Sequence, residues 1–130
     1  MLLTNEKLIN DSLSLSQLGQ KELPIKVSYA IAKNMTKIQA ELDTYNKERQ
    51  KLIDKYAQRD DNGKIIMIKD NQVQLDKTQL DNWNKDSNEL LLIENDISIH
   101  KFPLSALEGN NHITPSELMA ISYMIEEGIE

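Results

Sequence analysis

The chain has 130 residues, is 39% hydrophobic and 28% charged, carries a net charge of −6 and contains no cysteine. That length supports one modest domain, residues 1–130, with its own core. The missing thiols exclude disulfide staples, thiolate metal sites and cysteine nucleophiles, and the acidic balance disfavours direct binding to a phosphate backbone.

Met1-Leu2-Leu3 reads as a short edge strand. It has neither the basic nor the apolar region of a signal peptide, and no run nears the roughly 18–20 apolar residues that span a bilayer. A cytoplasmic protein without membrane association is expected. Thr4 or Asn5 then caps a first helix to about Leu18, ended by Gly19. Leu8, Leu15 and Leu18 share a face, with Ser12 between them.

The strongest pattern follows. Pro24 suits the first turn of a second helix, and no Gly or Pro interrupts it to about Arg59. Ile31, Met35, Ile38, Leu42, Tyr45, Arg49, Leu52 and Tyr56 alternate in steps of four and three, the spacing of a coiled-coil seam. Some 35 residues at about 1.5 Å each make a rod of about 50 Å. A helix that long must bury its stripe against a partner. Its lysines, Lys33, Lys37, Lys47, Lys51 and Lys55, are interleaved with Glu41, Asp43, Glu48 and Asp54, so the helix as a whole offers no nucleic-acid-binding stripe. Arg49 breaks the apolar pattern. It either pairs with Asp81 or Glu89 across the seam and fixes register, or stands exposed.

Asp60-Asp61-Asn62-Gly63 stops the rod. Read as a calcium loop, it would place Lys64 and Asn71 where oxygen ligands belong, so it reads as a turn. Lys64–Lys69 and Val73–Leu75, joined by Asp70-Asn71, form a small β-hairpin. Asp76 or Thr78 caps a third helix to about Leu92, and Leu80, Trp83, Ser87 and Leu90 supply an antiparallel mate for the distal stripe. Trp83, the single Trp, is a core residue on this pattern and an interface anchor if partly exposed. The third helix is too short to cover Ile31, Met35 and Ile38, which leaves that part to the terminal helices or to a homodimer.

Ile97–Ile99 reads as a strand that pairs with Met1–Thr4, and Pro103 ends it. Leu104–Leu107 is a helical turn and Gly109-Asn110-Asn111 a loop. Thr114-Pro115-Ser116-Glu117 has the form of a capping box with Pro at the first helical position. Leu118, Ile121 and Ile125 line the last helix, with Met119 and Tyr123 beside them. Glu126, Glu127 and Glu130 make an acidic tail.

No constellation carries catalysis. His100 and His112 lie on different elements without companions at metal-ligand spacing. The four glycines are scattered and make no phosphate loop, no Ser sits in a nucleophile elbow, and the acids have no paired base. Neither a catalytic residue, a metal nor a cofactor is expected.

Leu23-Pro24-Ile25-Lys26-Val27-Ser28-Tyr29-Ala30-Ile31-Ala32-Lys33-Asn34, the helix through Glu48-Arg49-Gln50-Lys51-Leu52, and Ile113-Thr114-Pro115-Ser116-Glu117-Leu118 with Met124-Ile125-Glu126-Glu127 carry a resemblance. The chain resembles small uncharacterised proteins encoded by phages and prophages of Firmicute bacteria. That resemblance implies a bacterial cytoplasm and an accessory role, and brings no catalytic residues with it. The expected architecture is mainly α: a long antiparallel helical hairpin with a distal β-hairpin, and terminal helices building a small head. The expected function is binding of a host or phage protein, foremost as an inhibitor of a host defence protein such as a CRISPR system. The alternative is a morphogenesis, minor virion or tail assembly protein. The expected interaction surface is Arg49, Tyr56, Ile66, Ile68, Trp83, Glu126 and Glu127.

Overall fold

The computed structural model describes residues 1–68, 72–107 and 113–126. The Asp70-Asn71 turn, the Gly109-Asn110-Asn111 loop with His112, and Glu127 and Glu130 lie outside the described residues. The fold is mainly helical: β1 (Leu2–Thr4), α1 (Asn5–Gly19), α2 (Ile25–Tyr56), α3 (Leu80–Leu91), β2 (Glu94–Asp96), β3 (Phe102–Pro103), α4 (Pro115–Ile121) and β4 (Ile125–Glu126). Short 3-10 turns precede α3, follow β3 and follow α4. No helix among the described residues is long and apolar enough to cross a membrane. The chain divides into two compact units, Met1–Leu42 with Glu94–Glu130, and Asp43–Ile93, and α2 contributes to both.

In the first unit, Thr4 caps α1 by accepting from the Lys7 N–H at 3.1 Å. This aims Leu8, Leu15 and Leu18 inward, where all three are fully buried. Each contributes about 1.5–3 kcal/mol by leaving water. They join Val27, Ile31, Ile38 and Leu42 of α2, Phe102 of β3, and Ile121 and Met124 in one core. The terminal helices thus cover the proximal stripe, the first of the two covers the sequence allows.

β1 pairs antiparallel with β2, Leu2 opposite Asp96, three residues earlier than the expected Ile97–Ile99. Asn95 sets this register: its amide donates to the Leu3 carbonyl at 3.1 Å and the Asn5 side chain at 2.8 Å. Ile97 still donates its N–H to the Met1 carbonyl at 2.9 Å while its side chain is buried.

The capping box at α4 forms as predicted, but the helix presents a different face. Glu117, Ala120, Ile121 and Met124 are buried, whereas Leu118 and Met119 are exposed. Glu117 causes the rotation, because its carboxylate meets Lys21 at 2.6 Å and the Thr114 N–H at 3.0 Å. The helix ends at Ile121, so Ile125 is a strand residue, parallel to Phe102.

Beside this helix the Tyr123 ring lies under Lys7, 5.7 Å from its ammonium, and Lys7 pairs with Asp11 at 2.9 Å. The Tyr123 hydroxyl is buried without a hydrogen-bond partner among the described residues. Burial, then the Asp11 charge, pushes its pKa from the ordinary 10.0 up to about 12. The neutral form is favoured in the folded state, so this contribution to stability holds below pH 10 and is lost as pH rises towards 12. Tyr123→Phe removes an unsatisfied buried group. It is expected to raise stability at neutral pH by about 1 kcal/mol and to flatten that alkaline loss in urea melts. An unchanged alkaline limb would assign the titration to another group.

In the second unit α2 turns back into α3, antiparallel to it. Tyr56 is buried, sets its ring edge-on to Trp83 (centroids 6.2 Å apart) and donates its hydroxyl to Asp86 at 2.5 Å. Leu90 is buried at the other end of the mate stripe, while Leu80 is largely exposed. Arg49 is exposed, with no ion pair to Asp81, Glu89 or any other described residue. The ion pair expected to fix register is absent, and Arg49 stands exposed, the other reading the sequence offered.

The end of this hairpin departs from the sequence reading in an informative way. α2 stops at Tyr56, three residues short of Arg59, because Ala57–Arg59 is extended. Ala57 bridges Leu75, Arg59 bridges Ile65 and Met67 bridges Val73, all antiparallel. The predicted hairpin is present as the Met67–Val73 bridge, and a third segment closes it. Gln58 donates to the Gln74 carbonyl, Gln74 to Ile66 and Ile66 back to Gln58, at 2.8–2.9 Å. Donors two residues on bond the opposite way round: Asp60 to the Lys64 carbonyl, Ile68 to Gln72, and Asp76 to Tyr56. Gly63, at φ +78°, makes the tight turn into the second segment, and the Asp60 carboxylate accepts from the Asn62 and Lys64 N–H groups.

Candidate functional site

The site that stands out lies in the first unit. Ile25, Lys26 and Tyr29 on the first turns of α2 face His100, Lys101, Phe102 and Pro103 across a groove of about 530 Å³. Its lining is mainly apolar, and the volume falls in the range of ligand-binding clefts.

A buried polar residue builds it. Asn34 is fully buried on the face of α2 that also carries Val27, Ala30, Ile31 and Ile38. Its side-chain amide donates to the His100 carbonyl and its oxygen accepts from the His100 N–H, both at 2.8 Å. One side chain thus satisfies both backbone groups of a residue that belongs to no regular ladder. Lys37 adds a bond to the Ser98 carbonyl at 2.5 Å. The segment leading into β3 is thereby fixed against α2, and Phe102 is buried beneath it.

Above that floor the surface is apolar and basic. Ile25 is 83% exposed and Tyr29 54%. His100 meets Tyr29 edge-on with centroids 5.3 Å apart, and the Lys33 ammonium sits 5.6 Å from the centre of the same ring. Residues 25–40 and 97–107 together contain Lys26, Lys33, Lys37 and Lys101 and no carboxylate, in a chain of net charge −6. Glu126, opposite Pro103 in the β3–β4 register, is an acid placed beside this region.

A second groove, of about 370 Å³, lies within the other unit between Glu48, Leu52, Asp86, Glu89, Leu90 and Ile93. Two of its acids already have partners: Glu48 holds Lys51 at 2.9 Å, and Asp86 holds Tyr56 and, at 3.9 Å, Lys55.

The residues expected to form an interaction surface are dispersed. Arg49, Tyr56, Ile66, Ile68 and Trp83 all belong to the second unit, and Glu126 to the first. The fold brings Tyr56 and Trp83 together, but Tyr56 is buried there and cannot meet a partner. Trp83 and Ile66 are half-buried, Arg49 and Ile68 exposed, and Glu126 exposed on β4. Glu127 lies outside the described residues.

The groove residues Ile25, Tyr29, His100 and Lys101 were not legible as a site. Two signals for it existed: the carboxylate-free stretch at the start of α2, and one polar residue, Asn34, on its most apolar face. Among the described residues no group of acids and histidines is placed to hold a metal. Compared with protein-family models, curated proteins and solved structures, the chain matches none.

Proposed function

We propose that this protein acts by binding another protein, as a phage or prophage accessory factor that occupies a surface of a host defence component. The observation that carries the binding reading is the groove at the start of α2. It combines exposed Ile25 and Tyr29 with a backbone pinned in place by Asn34. Large apolar side chains gathered on a rigid surface cost solubility unless something covers them, and a preorganised groove loses little entropy on binding. The phage context rests on the sequence resemblance alone.

The test is phage plating on bacteria that carry a defined CRISPR or restriction system, with and without expression of this chain. Protection of the phage by about tenfold or more, lost in Tyr29→Asp, is the expected result. No protection, together with the protein's recovery in purified virions, would replace this reading with the morphogenetic one.

A further inference from the structure

We infer that the α2–β3 groove docks an acidic, extended segment of a partner protein that presents one aromatic or branched apolar side chain. The inference rests on the protein-binding reading and specifies the chemistry of the partner.

Charge is the first argument. Lys26, Lys33 and Lys101 border the groove, and none has a carboxylate partner among the described residues. Four lysines outside the groove, Lys7, Lys21, Lys51 and Lys55, do each meet an acid within 4.0 Å. Unneutralised lysines converging on one cleft of an acidic protein form a local positive field, which attracts carboxylates and repels basic segments.

Shape is the second. The floor, Phe102 with Pro103, is apolar, and Ile25 and Tyr29 stand up on one wall. An apolar anchor on a bound segment covers these side chains, while acids on either side of it reach the ammonium groups. Anchor plus charged rim is the usual division of labour in an interface: the anchor gives affinity, and the rim gives rate and selectivity.

A nucleic acid fits less well. Strong phosphate binding uses more cations than this groove offers, and the chain as a whole carries a net charge of −6. Tyr29 is also poorly placed as a stacking platform, since Lys33 already sits over its ring and His100 meets it edge-on.

Fluorescence anisotropy on the full chain tests this, with three probes: a fluorescein-labelled peptide of Asp and Glu carrying one central Phe, the same peptide with Ser for Phe, and a single-stranded oligothymidylate. The Phe peptide is expected to bind with a Kd of about 10–100 µM, weakening as salt is added. The Ser peptide is expected to be at least about tenfold weaker, as is the Phe peptide against Lys26→Glu/Lys101→Glu. Both lysines are exposed, so these reversals leave the fold intact, which circular dichroism checks. Tighter binding of oligothymidylate than of the Phe peptide would overturn the inference in favour of nucleic acid. Equal binding of the Phe and Ser peptides would overturn the anchor. If phage protection survives Lys26→Glu/Lys101→Glu but is lost in Tyr29→Asp, the protein-binding reading stands and the acidic-segment inference falls.

Discussion

Asn34→Ala is expected to cost about 2–4 kcal/mol of folding stability. The substitution removes two hydrogen bonds of 2.8 Å and leaves the His100 N–H and carbonyl without partners in a partly buried setting. An unmet buried donor or acceptor costs about 1–3 kcal/mol, and water entering the space recovers part of that. Asn34→Asp is expected to be worse than alanine, because a carboxylate cannot donate to the His100 carbonyl, and either burying its charge or protonating it costs further stability at neutral pH. Urea denaturation of the three proteins measures this. A loss below about 0.5 kcal/mol for Asn34→Ala would mean that the pin is redundant with the Lys37–Ser98 contact. The same variant should weaken groove binding, because the strand that forms one wall loses its attachment to α2.

Glu117 carries the second large effect, and here pH is the readout. Its carboxyl is held below the ordinary carboxylate range chiefly by Lys21, then by the Thr114 N–H. A lowered folded-state pKa means that the ionised form stabilises the fold. That stability is present above the unfolded value, near pH 4.5, and disappears as pH falls through the lower folded value. Glu117→Gln keeps the shape and removes the charge, so its melting temperature should depend less on pH across this acid window. At neutral pH Thr114→Ala should cost about 1 kcal/mol as a lost N-cap, roughly 4 °C. Glu117→Ala should cost more, since it removes its half of the capping box and the Lys21 contact together. Thermal melts between about pH 3 and 7 compare the four proteins. Parallel acid limbs for wild type and Glu117→Gln would refute the assignment.

The helical frame was readable because its signals are local. The four-three stripe, Thr4, Pro24, Asp76 and the Thr114–Glu117 box each act within a few residues: α1, α2 and α4 start where these residues indicate, and Asp76 caps the 3-10 turn that leads into α3 at Leu80. What escaped depends on distant partners. The face of α4 follows from a contact between Lys21 and Glu117, 96 residues apart in the chain. The β1–β2 register follows from Asn95 meeting Leu3 and Asn5. The groove escaped for the same reason: Asn34 looks like an ordinary polar residue until residue 100 is placed beside it. The surface expected from sequence leaned on Tyr56 and Trp83, and aromatic residues at seam spacing satisfy each other first.

The three crossed segments beyond Tyr56 have a kinetic consequence. In an ordinary hairpin the outer hydrogen bonds fray one by one from the open side. Here Gln58, Ile66 and Gln74 donate in a closed cycle, and Asp76 returns a bond to Tyr56, where α2 ends. No bond in the cycle is outermost, so none can open first without straining the other two. The amides of residues 58, 66 and 74 should therefore exchange with solvent at one shared rate, set by opening of the whole junction. The junction that Gln58, Ile66 and Gln74 close is then expected to open as one unit rather than residue by residue.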